Sequence, residues 1–145
     1  MSEDCRVRPL AAADSDAALA LYNELTFGPP VSDPAAFLSV LDHPGTAVLG
    51  AFTDTGLVAM LTLHLLPNVT WSARPYALIE NVVTRGDQQR RGFGRRVMQA
   101  ALEAAWDADA YKVMLLTGQK RGARGFYESV GFSAEDKHAM VARRP

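Results

Sequence analysis

Apolar positions change period several times along the chain, and each change marks an element. Ala18, Leu21, Tyr22 and Leu25 recur at three- and four-residue spacing, which predicts a helix capped by Asp14 or Ser15 and stopped near Gly28-Pro29-Pro30. Asp33 before Pro34 is an N-cap with proline at the first helical position. Phe37, Leu38 and Leu41 give that second helix one apolar face, and His43-Pro44-Gly45 ends it. Helical spacing then gives way to two long apolar segments, Thr46 to Thr53 and Leu57 to Leu66. Asp54-Thr55-Gly56 joins them, a short glycine-containing connection that predicts an antiparallel hairpin. Cys5 to Pro9, though short, resembles a first strand ending at a proline. The turn-rich stretch Pro67 to Pro75 carries Trp71 and could wall a substrate pocket; a further strand, Tyr76 to Thr84, follows it.

The strongest helical period lies after Gly94. Met98, Leu102 and Trp106 recur every four residues, with Val97, Ala101, Ala104 and Ala105 beside them, so one face packs on a sheet. Tyr111 to Thr117 reads as a buried strand parallel to Tyr76 to Thr84 in a right-handed βαβ unit. Arg121 to Ser129 reads as a short helix with Gly131 as its stop, and Phe132 plus His138 to Ala142 as the last strand or strands. No internal repeat or low-complexity tract interrupts this order. It predicts a mixed sheet with helices on its faces, an α/β or α+β sandwich, in a single domain over residues 1–145.

Composition narrows the partners. Fifteen Lys and Arg against sixteen Asp and Glu leave no excess for a polyanion, so any phosphate recognition must be local. Cys5 is the only cysteine, which excludes an intrachain disulfide and a cysteine-rich metal site and suits a reducing compartment. The start, MSEDCRVRPL, has no apolar leader core, and no apolar run approaches the roughly 18–20 residues of a membrane span. The expectation is a cytoplasmic protein with no membrane partner. His43, His64 and His138 show no ligand spacing, so no metal is expected.

Candidate chemistry concentrates between Ile79 and Ala108, where IENVVT meets RGDQ, QRRGFG and RRVMQAALEAAWDA. That order is strand, loop, helix. The first N–H groups of a helix lack intrahelical partners and carry partial positive charge, which suits a phosphate, and two glycines let the backbone approach it. A dinucleotide fingerprint needs a small residue three after the second glycine, and Val97 stands there. A P-loop needs Gly-Lys-Ser/Thr, and Gly94 precedes Arg95-Arg96. Both readings fail.

What remains is Gln89-Arg90-Arg91-Gly92-Phe93-Gly94, preceded by IENVVT and followed by YKVMLLT and GARGFYESVGF. From about Leu57 to Phe132, in order and spacing, this resembles the GNAT superfamily of acetyl-CoA-dependent N-acyltransferases, whose signature is Gln/Arg-x-x-Gly-x-Gly/Ala. The resemblance implies a mostly antiparallel sheet of six to seven strands with about four helices, its central parallel pair split to admit acetyl-CoA. It implies that amides from Arg90 to Arg95, with Gln89, cradle the pyrophosphate, while the backbone of Val82, Val83 and Thr84 pairs with the pantetheine arm. Tyr127 matches a position close to the thioester sulfur that can protonate the leaving thiolate. Glu80 matches an acidic position that can act, directly or through water, as base for the incoming amine.

Each of these residues also has a plainer reading. Tyr127 can be an aromatic packing a helix on the sheet, and Glu80 half of a surface ion pair. His64 shares a strand face with Thr62 and reads as a hydrogen-bonded structural histidine or, with Trp71 and Glu80, as part of an acceptor pocket. Arg85, Arg90, Arg91, Arg95 and Arg96, and the second cluster Lys120, Arg121 and Arg124, lack interleaved aromatics, which argues against a nucleic-acid partner. The resemblance implies an N-acetyltransferase acting by direct transfer on the primary amine of a small molecule, with a leaning towards amino-sugar phosphates and a homodimer through the C-terminal strands. A protein N-terminus or lysine is the alternative acceptor. A non-catalytic acyl-CoA sensor or anion-binding module on the same fold is the alternative function.

Overall fold

The structure, a computed structural model, describes residues 4–119 and 122–145. They fall into two compact units, Met1–Met114 and Leu115–Pro145. The first holds β1 (Arg6–Pro9), α1 (Ser15–Leu25), α2 (Pro34–Asp42), β2 (Thr46–Thr53), β3 (Gly56–Leu66), α3 (Thr70–Ala73), β4 (Tyr76–Thr84) and α4 (Phe93–Asp107). The short β5 (Val113–Leu115) stands at the division, and α5 (Arg124–Ser129) belongs to the second unit.

The five strands form one sheet in the order β1-β2-β3-β4-β5. The first three pairings are antiparallel. At the fourth, the Tyr111 amide donates to the Pro75 carbonyl and the Ala77 amide to the Lys112 carbonyl, so both partners advance together as a parallel neighbour requires. The mixed α/β architecture is the one expected, with a lower strand count.

Local chemistry accounts for the elements. Asp33 accepts from the Ala35 amide at 2.9 Å, capping α2, and Pro34 occupies a position whose missing N–H costs nothing. The side-chain cap expected of α1 from Asp14 or Ser15 does not form: the Asp14 carboxylate accepts instead from the Ala11 amide at 2.8 Å and from both terminal nitrogens of Arg8 at 2.8 and 2.9 Å, and Ser15 Oγ donates to the Ala12 carbonyl at 2.6 Å. α1 and α2 cover one face of the sheet: Leu21 and Phe37 are packed with Val48, Met60 and Val83 in a single apolar cluster. Val48 and Leu49 point to opposite faces. The second face takes the buried side of α4, where Val97, Met98, Ala101 and Ala105 are 0–1% exposed.

Three departures from the expected elements have physical reasons. Residues 67–75 are not a loose loop but contain α3, in which Trp71, Ser72 and Ala73 all take positive φ, at 53°, 58° and 59°. Left-handed backbone costs about 1–2 kcal/mol per residue. Asn68 Nδ2 offsets it by donating to the Thr70 carbonyl and hydroxyl at 3.1 Å, and the Trp71 ring stacks on Tyr111 with centroids 5.3 Å apart. The strand expected over 111–117 is ordered as a ladder only over Val113–Leu115. The strands expected at Phe132 and 138–142 do not form, which is why the sheet has five strands rather than six or seven. A strand exists only where a second chain segment takes its N–H and C=O groups. Here the Phe132 amide instead closes the end of α5 on the Tyr127 carbonyl at 3.1 Å, and Met140 is 91% exposed.

Within the second unit, α5 ends at Gly131, whose φ of 105° favours glycine. Arg124 holds Glu128 at 2.9 Å and Glu135 at 2.7 Å. Arg121, expected to begin this helix, lies outside the described residues, as does Lys120.

Candidate active site

The irregularity that defines the site is in β4. Met60 pairs with Val83, but Thr62 pairs with Glu80, so two steps along β3 match three along β4. The extra residue makes a β-bulge at Asn81, whose φ is 53°. Asparagine tolerates this left-handed conformation better than other residues with a side chain. Ala77 is bonded to Lys112, so three-residue β5 ends level with the middle of nine-residue β4. The stretch containing Val82, Val83 and Thr84 runs past it. The edge of β4 that the resemblance assigns to the pantetheine arm is this stretch beyond β5.

β4 leads directly into the glycine loop, which is held from beneath. The Arg85 amide donates to the Val58 carbonyl at 2.7 Å, and its guanidinium reaches the Thr55 and Leu57 carbonyls, each at 3.2 Å, and the Asp87 carboxylate at 2.7 Å. The hydrogen bond from Arg85 holds the Asp87 carboxyl below the usual carboxylate range. The Gly86 amide donates to Glu24 Oε1 on α1 at 2.8 Å, Gln89 Nε2 reaches back to the Thr84 carbonyl at 3.4 Å, and Arg91 donates to buried Gln88 at 2.6 Å. Arg96 ties α4 to the Cys5 carbonyl at 2.8 Å. Of the arginine cluster, then, Arg85 and Arg96 are structural anchors, whereas Arg90 is exposed on a left-handed backbone.

The loop ends at Gly92, the N-cap of α4, with φ 86° and open space where a Cβ would stand. No side chain caps this helix, and its first internal bond runs from the Arg96 amide to the Gly92 carbonyl. The amides of Phe93 and Gly94 precede that bond, at the positive end of a 15-residue helix. Phe93 is buried and anchors the turn from below, with the Arg91 guanidinium 5.4 Å from its ring. A diphosphate fits such an end, so these residues suit the pyrophosphate of coenzyme A.

On the α1–α2 side of the bulge lies a cavity of about 340 Å³. Its polar wall is Tyr22, Thr26, Thr62, His64 and Asn81. Burial pushes the Tyr22 phenol above its ordinary range, a hydrogen bond with Thr62 opposing this, so the hydroxyl is neutral at physiological pH. Tyr22 also meets Phe37 edge-on, ring centroids 6.2 Å apart. His64 Nδ1 lies 2.8 Å from Thr46 Oγ1, which in turn lies 3.0 Å from His43 Nδ1. One hydroxyl has one proton, so at most one of these imidazoles receives it, and the other must offer its own. Thr62, paired with Glu80, shares a face with it; the Glu80 side chain is exposed.

The expected site residues therefore fall into three groups. Glu80, Val82, Val83, Thr84 and the loop from Gln89 to Arg95 form one continuous path in the first unit, and His64 lines the cavity beside it. Trp71 does not line that cavity; it is 67% exposed and stacked on Tyr111 at the other end of β4. Tyr127 lies in the second unit, packed between Phe126 and Phe132 at centroid distances of 5.2 and 6.3 Å. Sequence reasoning missed Tyr22, which looked like one more apolar position of α1, and Glu24, whose loop contact is 62 residues away. Asn81 gave a usable signal: an asparagine inside a β-branched run marks a bulge.

A sequence model of the Acetyltransferase (GNAT) family matches residues 15–132. The chain belongs to that family. Among solved structures, a protein assigned as an acetyltransferase in Agrobacterium tumefaciens str. C58 is 40% identical, with a TM-score of 0.90 over 96% of this chain and 99% of that one. An acetyltransferase of Trypanosoma brucei is 26% identical, TM-score 0.81, over 97% and 100%. The glucosamine-6-phosphate N-acetyltransferase of Arabidopsis thaliana, 19% identical with a TM-score of 0.84 over 98% and 99%, shares the fold. No curated protein matches the sequence. Family membership makes acyl transfer the general activity of this chain.

Proposed function

We propose that the protein transfers the acetyl group of acetyl-CoA to the primary amine of a small molecule, both substrates being bound at once. The observation that carries this reading is the bulge at Asn81. One residue interrupts the β3–β4 ladder and also lines the neighbouring cavity, so a thioester on the edge of β4 and an amine in the cavity would meet there. The amine loses a proton to Glu80, directly or through water, because an ammonium has no lone pair for attack. The C–N bond then forms at the acetyl carbonyl and the C–S bond breaks. The Tyr127 hydroxyl supplies the proton that the leaving thiolate takes up, and no protein nucleophile is required. Backbone N–H groups of β4 are the candidate donors to the oxyanion.

The reading includes a homodimer in the cytoplasm, supported for the dimer by Met140 and Val141, 91% and 58% exposed on the C-terminal segment. It also takes the reaction to need no metal, since a free amine attacks a thioester without a Lewis acid. Titration calorimetry with acetyl-CoA, followed by thiol release across a panel of amines, tests the proposal. Micromolar binding with thiol release from at least one amine is the expected result. Binding without release from any amine replaces the enzyme with an acyl-CoA sensor.

A further inference from the structure

We infer that the acceptor is a primary amine carried on an apolar body, aliphatic or aromatic, rather than an amino-sugar phosphate or a polycation. This rests on the transferase reading above and names the substrate class of its cavity. The body of the cavity is built by Leu19, Leu25, Val31, Ala36, Phe37 and Val40, from α1, α2 and the segment between them. Among the described residues that line it, none is Lys, Arg, Asp or Glu.

Each alternative acceptor needs something this wall does not offer. A phosphate buried against leucine and valine keeps its charge without a partner, which a site answers with arginine or lysine. A sugar brings several hydroxyls, and the polar atoms here are confined to one side, at Tyr22, Thr26, Thr62, His64 and Asn81. A polyamine or aminoglycoside brings several cations and calls for several carboxylates. Only Glu80 shares the Thr62 row, enough for one ammonium. The volume of about 340 Å³ is near the lower end of the roughly 300–1,000 Å³ usual for small-molecule sites. It suits a body the size of one substituted ring or a chain of about six carbons.

The polar side also orients the ligand. Neutral Tyr22 and Thr62 hold each other, and Asn81 sits at the bulge, so the nitrogen belongs at the β3–β4 wall and the apolar body against α1 and α2. Reaction of such an amine with acetyl-CoA gives one amide and one free thiol; the ammonium proton goes to the base and the thiolate is protonated.

The test compares phenethylamine, hexylamine, glucosamine 6-phosphate and spermidine with the full chain and saturating acetyl-CoA. The expected kcat/KM for the two apolar amines exceeds that for the other two by on the order of 100-fold. Ala36→Phe, at an exposed helical position whose side chain faces the cavity, fills the space. It should raise the KM for phenethylamine about tenfold while leaving the calorimetric affinity for acetyl-CoA and the melting temperature unchanged. Preference for the sugar phosphate or spermidine, or an unchanged KM in Ala36→Phe, overturns the acceptor class and leaves the transferase reading standing. Loss of all acetyl-CoA binding in the native chain overturns both.

Discussion

At the scale of single residues the site depends on side chains and backbone angles that ordinary propensity would not choose. Asn81 is held at φ 53° in the middle of a strand. A β-branched residue there would pay about 1–3 kcal/mol and press the bulge back into a regular ladder. Asn81→Val should therefore lower the melting temperature and weaken acetyl-CoA binding, whereas Asn81→Gly should retain both; thermal denaturation and calorimetry on the pair check this. Equal behaviour of the two variants would detach the bulge from the site. Tyr127→Phe keeps the ring between Phe126 and Phe132 and removes only the hydroxyl. The expected outcome is a kcat about 100-fold lower with acetyl-CoA affinity nearly unchanged, and steady-state kinetics with calorimetry read the split. Undiminished turnover would return Tyr127 to a packing role. At this scale the sequence was informative where a motif fixes the residue, as at Gly92, and silent where a role comes from distant chain. Tyr22 and Thr62 hold each other across 40 positions, and no local pattern records that.

Elements formed by near neighbours were legible. α1, α2, the β2–β3 hairpin and α4 begin and end within about three residues of their expected bounds, because apolar periodicity, the Asp33 cap and Pro34 of α2, and turn chemistry act locally. β5 was expected in its place and parallel to β4, over a longer span than Val113–Leu115, whereas the C-terminal strands do not form, because a strand needs a partner that periodicity alone cannot supply. Two predictions belong to this scale. Gly92, at φ 86°, and Gly94, in the first turn of α4, separate fold from function. Gly92→Val strains the backbone and should lower both stability and acetyl-CoA affinity. Gly94→Val should raise the acetyl-CoA Kd at least tenfold with the smaller change in melting temperature; unchanged affinity in both variants would remove the loop from cofactor binding. The turn before α1 makes the second. The Arg8 hydrogen bonds hold the Asp14 carboxyl below its ordinary range. A depressed carboxylate stabilises the fold above its unfolded pKa, and that contribution is lost as pH falls through the folded value. Asp14→Asn should thus lower the melting temperature at pH 7, and the gap to the native chain should close as pH falls through the acidic carboxylate range. A gap independent of pH would assign the effect to packing.

For the molecule as a whole, the mixed sheet and its family were readable from the glycine loop and its neighbours in sequence, and the family model over residues 15–132 agrees. The cavity was not readable. It is assembled from two helices, the segment between them and two strands, and its apolar character came from positions that looked like ordinary core. The amino-sugar-phosphate leaning followed the IENVVT and YKVML strands and the FYE-x-x-GF motif, whereas the apolar amine proposed above follows from the lining of the cavity. The exposed C-terminal apolar residues set a prediction at this scale: Met140→Glu should shift a dimer to monomer in analytical ultracentrifugation, and a native chain already monomeric at high concentration would reject the dimer. The central claim, direct acetyl transfer to an amine, is tested most directly by supplying acetyl-CoA labelled with carbon-13 in its acetyl group, together with phenethylamine, and following the label by mass spectrometry. The predicted result is label in the amide of the acceptor, matched by an equal amount of free thiol, and none on the protein. Label retained in acetyl-CoA, released as acetate or attached to the protein would contradict it.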